Sequence, residues 1–256
     1  MFIVDDRGPI RWLTINRPES KNSIPPAGWE LLAEQWADFE DSAQRVLVVT
    51  GAGGNFCSGA DLSSSDRSAA GAVDRLEAMA SVSRAALGLH RLTKPTIAAV
   101  DGVAVGAGMN LALGCDITIA SDRARFAEIF VQRGLTVDFG GIWLLPRLVG
   151  LQRAKELAMS GRIIDAAEAA AIGLVLETVP VPLLAGVVDA HAERFAAGAP
   201  VAQRITKWGL NGSSTMSFEE GLRYEEQGQA ICLSSEDAAE GVASFLAKRR
   251  ADFQGR

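Results

Sequence analysis

Short apolar runs over residues 10–16, 46–50, 96–100 and 117–120, each bounded by turn residues, restrict the fold more than any other feature. They are too short for independent helices and too apolar for loops, so each is expected to be a buried strand. Between them Trp29, Leu32, Ala33 and Trp36, and again Val73, Leu76, Ala80, Ala86 and Leu87, recur at helical intervals. Strand and helix therefore alternate, which predicts an α/β fold with a largely buried sheet. From about Asp165 the strand signal fades, and Ala- and Glu-rich stretches over 185–197, 201–210, 218–232 and 236–249 have helical spacing. With 256 residues the chain is near the upper limit for one core. The expected division is a core domain over 1–195 and a helical region over 196–256.

A net charge of −6 argues against a nucleic-acid or anionic-membrane surface, since both need a basic face to counter phosphate. A small-molecule partner is expected instead. Cys57, Cys115 and Cys232 are odd in number and widely spaced, so they indicate neither a disulfide framework nor a zinc site. They read as reduced thiols in a cytosol-like compartment. The N-terminus carries Asp5 and Asp6 where a signal peptide would carry bases, and no apolar stretch reaches the length of a membrane span, so a soluble, cytoplasmic protein is expected. Residues 63–71 are small and polar, reading either as a solvated loop or as a wall of a binding site.

Two glycine-rich runs are the next constraint. Gly51-Ala52-Gly53-Gly54-Asn55-Phe56-Cys57-Ser58-Gly59-Ala60-Asp61 follows a predicted strand but lacks the Gly-Lys-Ser/Thr ending that a phosphate loop needs. Gly102-Val103-Ala104-Val105-Gly106-Ala107-Gly108-Met109-Asn110 contains Gly-x-Gly, but Leu111 stands where a dinucleotide site would have its third glycine. What both share is small residues at a turn, where backbone N–H groups are unpaired and close approach is possible. Two such turns facing one oxygen atom would make an anion hole. The plainer alternative is that the glycines only close tight turns.

Taken together with their surroundings, these runs resemble the enoyl-CoA hydratase/isomerase, or crotonase, family over nearly the whole chain. The matching pieces are Leu13-Thr14-Ile15-Asn16-Arg17-Pro18 with Asn22, Phe56-Cys57-Ser58-Gly59-Ala60-Asp61-Leu62, and Lys94-Pro95-Thr96-Ile97-Ala98-Ala99-Val100-Asp101-Gly102 running into Gly106-Ala107-Gly108. Cys115-Asp116-Ile117, Gly140-Gly141, Leu145-Pro146-Arg147-Leu148-Val149-Gly150 and the tail Phe245-Leu246-Ala247-Lys248-Arg249 follow in order. The resemblance implies a spiral of strand-strand-helix units, then helices that mediate trimerisation, often as a dimer of trimers. It implies that the N–H groups of Ala60 and Ala107 form an oxyanion hole for an acyl-coenzyme A thioester. Proton removal beside the thioester builds charge on that oxygen, which preorganised donors stabilise. Lys21, Asn22, Ser58, Asp61 and Leu62 would line the coenzyme A path, and Phe245 and Lys248 would reach the coenzyme A of a neighbouring subunit. A solvated helix face remains open for Lys248. Coenzyme A enters as part of the substrate, and no separate cofactor or metal is implied.

The acid-base residues depart from the hydratase pattern. Hydration uses two glutamates in this family, one to activate water and one to protonate carbon. Asn110 stands at the first position, and counting back from Gly140-Gly141 without gaps puts Phe130 at the second, with Glu128 two residues away. Strand alternation would place Glu128 on the side of Phe130, so a shift in register could recruit it. The remaining acid is Asp138, before Phe139-Gly140-Gly141-Ile142-Trp143, and here the chain resembles the isomerase branch, especially the ring-epoxide isomerases of phenylacetate breakdown. One carboxylate is sufficient for an isomerase, and an apolar surround of Val137, Phe139 and Trp143 should raise its pKa. Asp138 could equally serve as the side-chain cap of a helix starting near Gly140. His90 and His191 read as surface or packing residues. An enoyl-CoA isomerase is expected, with a hydratase recruiting Glu128 and a catalytically idle acyl-CoA binder as alternatives.

Overall fold

The structure, a computed structural model, describes residues 1–63 and 71–256. In chain order, β1 (Phe2–Arg7) and β2 (Ile10–Ile15) lead to α1 (Gly28–Asp41), and β3 (Val46–Gly51) leads to α2 (Ala72–Arg91). Next come β4 (Thr96–Val100), β5 (Val103–Val105) and α3 (Ala107–Leu113), then β6 (Ile117–Ser121), β7 (Arg125–Ala127) and α4 (Gly141–Val149). After α5 (Leu151–Ser160), β8 (Ile164–Asp165), α6 (Ala166–Ala171) and β9 (Glu177–Val179), the chain continues as α7 (Leu184–Ala196), α8 (Pro200–Gly212), α9 (Phe218–Leu233) and α10 (Glu236–Leu246).

The larger sheet has the order β1-β2-β3-β4-β6-β9, and the smaller has β5-β7-β8. All pairings in the larger sheet are parallel except β1 with β2. Successive turns of chain thus visit the larger sheet, the smaller sheet and a helix, as β4-β5-α3 and then β6-β7-α4. This is the crotonase spiral of strand-strand-helix units that the family resemblance implies.

The period-2 geometry of the strands decides the packing. Ile10, Trp12, Val46, Val48, Ile97, Ala99 and Ile119 point to one face, which α7 covers with Leu184, Val188, Ala192 and Ala196 at helical spacing. Leu13, Ile15, Leu47, Val49, Ala98, Val100 and Ala120 point to the other, against Trp29, Leu32, Trp36 and Phe39 of α1 and Val82, Ala85 and Leu89 of α2. A sheet buried on both faces explains why its strands read as unbroken apolar runs.

Three differences from the sequence reading have physical causes. β5, β7, β8 and β9 are two or three residues long, too short to show a period. The first turns of α2 carry Val73 and Leu76 at 68% and 73% exposure, so the apolar positions there do not face the core. The last helix ends at Leu246, because Lys248 adopts a left-handed φ of 52°. Beyond it the tail returns: Gln254 and Gly255 donate backbone N–H to the buried Asp237 carboxylate at 2.7 and 2.8 Å, and Arg45 donates to the Phe253 carbonyl at 2.5 Å. Among the described residues no helix is long and apolar enough to cross a membrane.

Candidate active site

Two backbone segments meet where the glycine-rich runs lie. The Cys57 N–H donates to the Val103 carbonyl at 2.9 Å and the Val105 N–H to the Cys57 carbonyl at 3.0 Å, which stitches segment 57–62 onto β5. On its other side Ile24 donates to the Gly59 carbonyl and accepts from the Asp61 N–H, each at 2.8 Å. This bridge pairs Ile24 with Ala60 in parallel, so the N–H of Ala60 itself points away from Ile24. Ala107 is the first residue of α3, following Gly106 in a left-handed conformation, and its N–H has no intrahelical acceptor. Neither N–H finds an acceptor among the described residues. The turns are in contact: a Cβ added to Gly59 would lie 3.4 Å from the Ala107 nitrogen. Two unpaired backbone donors on touching turns can together hold one anionic oxygen.

Beside them α3 carries Asn110, which is fully buried. Its Nδ2 donates to the Asp138 backbone carbonyl at 2.9 Å and to Glu128 Oε2 at 3.3 Å. Glu128 is also fully buried. Burial pushes its carboxyl up to about 8, helped by the nearby charge of Asp138 and opposed by the Asn110 hydrogen bond. Burial likewise pushes Asp138 up to about 6. Asn110 Oδ1, Glu128 Oε1 and Asp138 Oδ1 are buried without a hydrogen-bond partner. Asp138, Glu128 and Asn110 therefore form one cluster, with two acids rather than the single one the sequence favoured.

Local backbone explains the correction. β7 ends at Ala127 and the chain enters a 3-10 turn at Ile129–Arg133, so strand alternation does not relate Glu128 to Phe130. The Phe130 ring instead packs near Gly106. The side-chain cap foreseen for Asp138 is not formed either: Gly140 precedes α4 with no side-chain cap, and it is the Asp138 carbonyl that accepts from the Gly141 N–H at 3.0 Å. That leaves the carboxylate available for chemistry. Phe139 takes a left-handed φ of 49°, a strained value for a bulky residue, while its ring is buried against Trp29 with centroids 5.5 Å apart. Trp143 is 36% exposed, flanked by the edge of His90 and by the Arg147 guanidinium 3.7 Å above its ring. His191 pairs with Glu177 at 2.6 Å.

The residues expected along the coenzyme A path divide into braces and exposed groups. Lys21 and Asn22 both have left-handed φ, 51° and 60°. Asn22 is fully buried: its Oδ1 accepts from the Arg17 N–H at 2.8 Å, and its Nδ2 donates to the carbonyls of Ala52 and Asn55 at 2.8 and 2.6 Å. Each of these groups left unpaired in the interior would cost about 1–3 kcal/mol, so Asn22 fixes the loop from inside. Ser58 donates its N–H to the Lys21 carbonyl and its hydroxyl to the Ser20 carbonyl, both at 3.0 Å, which ties the two parts of the expected path together. The Asp61 carboxylate accepts from Ser63 at 2.7 Å and from Arg17 at 3.1 Å, which hold it below the usual carboxylate range. Arg17, missed as a site residue, is thus the brace of this segment. Leu62 is 43% exposed, and Phe245 (82%) and Lys248 are exposed at the end of α10, which packs on α9. Residues 64–70 of the polar stretch read as a wall of the site lie outside the described residues. Among the described residues no three His, Cys, Asp or Glu side chains gather as a metal site.

Comparison with known proteins agrees with this architecture. A family model described as enoyl-CoA hydratase/isomerase matches residues 6–256. The chain is 38% identical over 252 residues to a 1,2-epoxyphenylacetyl-CoA isomerase of Escherichia coli (strain K12), covering 96% of this chain and 95% of the relative. It is 32% identical to a short-chain-enoyl-CoA hydratase of Clostridium acetobutylicum, covering 99% and 98%. The crystal structure of an enoyl-CoA hydratase from Bacillus anthracis superposes with a TM-score of 0.94 at 32% identity, covering 100% of this chain and 99% of that one. On that evidence the chain belongs to the enoyl-CoA hydratase/isomerase family.

Proposed function

We propose that this protein is an acyl-coenzyme A isomerase that moves a double bond through a thioester enolate, with Asp138 as the proton carrier. The observation that carries the reading is the Asp138 carboxylate, whose Oδ1 is buried and unpaired while the residue's backbone carbonyl is held by Asn110. In a 3-enoyl thioester, Asp138 takes the proton from C2 and the electrons of that C–H bond flow toward the carbonyl oxygen. The N–H groups of Ala60 and Ala107 hold the enolate oxygen. Asp138 then returns the proton to C4 and the double bond comes to lie between C2 and C3, so nothing is added or lost. Asn110 cannot exchange protons near neutral pH, which argues against hydration. The similarity to an isomerase at 38% identity supports the same reading.

A hydratase remains the second reading, because Glu128 lies in the same buried cluster and relatives with hydratase names are nearly as similar. Incubation with 3-enoyl-CoA and 2-enoyl-CoA in deuterated water separates them. Isomerisation with deuterium at C2 or C4 is the expected result. Hydration of the 2-enoyl substrate that vanishes in Glu128→Gln would overturn it, and tight acyl-CoA binding without exchange would indicate an idle binder.

The protein is further proposed to act in the cytoplasm as a homotrimer or a dimer of trimers. Lys21, Asn22, Ser58, Asp61 and Leu62 would form the coenzyme A path, with Phe245 and Lys248 reaching a neighbour's coenzyme A. The exposed Val242, Phe245 and Leu246 on α10 favour coverage by another subunit, since exposed apolar patches commonly mark interfaces. Sedimentation equilibrium returning a monomer would count against the assembly.

A further inference from the structure

We infer that Glu128 is a positioning residue held as a neutral carboxylic acid and tied through Asn110 to Asp138, so that a single negative charge serves the reaction. The inference rests on the isomerase reading for its link to activity, but its structural basis is separate. The cluster holds more acceptors than hydrogens. Both N–H groups of the Asn110 amide are committed, one to the Asp138 carbonyl and one to Glu128 Oε2. The atoms left unpaired, Asn110 Oδ1, Glu128 Oε1 and Asp138 Oδ1, are all oxygens that accept when the carboxyls are ionised. Three buried acceptors with no donor is a costly arrangement. A proton on Glu128 Oε1 turns one acceptor into a donor within the same cluster.

Among the described residues no cation offers an alternative. On β7 itself Arg125 is exposed and turns to the Ala124 carbonyl. On the neighbouring β8, Asp165 caps α6, and on α6 Glu168 is paired with Arg162. Arg133 at the end of the 3-10 turn is exposed, as are Arg153 and Lys155 on α5. On α5 Glu156 is held by Arg162, and Arg147 on α4 stacks on Trp143. Of the described charged groups, only Asp138 acts on Glu128, and its charge favours the protonated form. The packing leaves no slack: a Cβ on Gly141 would fall 2.4 Å from Asn110 Nδ2, so the amide is clamped between α3 and α4.

A neutral Glu128 cannot activate water, but it can fix Asn110 and, through it, the backbone that carries Asp138. Its ionisation would place a second charge beside Asp138 and break the arrangement. Two measurements on the full-length protein test this. In protein labelled with 13C at the glutamate δ-carboxyl, one carboxyl resonance should titrate several pH units above the others and be missing from Glu128→Gln. In 3-enoyl-CoA isomerisation, wild-type kcat/KM should fall on the alkaline side of the profile, whereas Glu128→Gln should lose that fall and keep activity at pH 7 within about threefold. Glu128→Ala, which strands the Asn110 amide, should be less active than Glu128→Gln at every pH. A Glu128 resonance that titrates with the ordinary glutamates would overturn the inference, as would a loss of about 10²-fold or more in Glu128→Gln at pH 7. If no variant isomerises but the high-titrating resonance is present, the neutral acid stands and the isomerase reading falls.

Discussion

Replacing Asp138 with Asn should lower turnover of a 3-enoyl thioester by about 10²- to 10⁴-fold, the usual contribution of one general acid-base group. Asn has the same shape and leaves intact the backbone carbonyl that binds Asn110 and Gly141, so the loop geometry is retained. KM should change little, because the substitution leaves untouched the segments proposed to bind coenzyme A. Deuterium exchange at C2 should fall in step with turnover. The wild-type pH profile supplies an independent check. In the proposed isomerisation Asp138 must be ionised to accept the first proton, and burial raises it to about 6, so activity should climb as pH rises through about 6 and be lost below it. An ordinary aspartate would place that climb about two units lower. Full activity in Asp138→Asn would remove Asp138 from the mechanism.

What could be read from the sequence follows the reach of each signal. The runs over 46–50, 96–100 and 117–120 were legible because both faces of those strands are buried: Ile97 and Ala99 on one side, Ala98 and Val100 on the other. β5 and β7 were not, since three residues show no period and their pairing depends on where distant parts of the chain arrive. In the site, the glycine-rich turns pointed correctly to two segments that meet. Glu128 read only as an alternative, because its placement depends on the chain leaving strand geometry at Ala127, which no periodicity records. Asn110 reads as a missing acid, whereas its structural role is a bridge to two acidic residues 18 and 28 positions further along the chain. The Asp61 carboxylate is engaged by Arg17, 44 residues away, a pairing that spacing alone does not suggest.

The glycine at position 108 gives the sharpest test of the backbone half of the site. Gly108 is the second residue of α3, with no left-handed φ, and in a helix interior alanine is favoured over glycine by about 1 kcal/mol. On helix propensity alone, Gly108→Ala should stabilise. Packing decides otherwise, because the added Cβ would lie 2.2 Å from the Cys57 carbonyl oxygen and 2.7 Å from its carbon. These are backbone atoms already bonded to Val105, so the methyl group must drive α3 and segment 57–62 apart. The donors on Ala60 and Ala107 belong to those two elements, and separating them would remove the common target proposed for them. The expected result is a kcat lower by about 10²- to 10³-fold, as for loss of one oxyanion donor, with overpacking lowering stability by about 1–3 kcal/mol in urea unfolding. Gly186→Ala on α7 is the matching control, since its added Cβ meets nothing within 4 Å and should leave activity unchanged. A folded Gly108→Ala enzyme with wild-type kcat would show that the spacing of these two turns does not govern the reaction, and the charge on the thioester oxygen would then have to be balanced elsewhere.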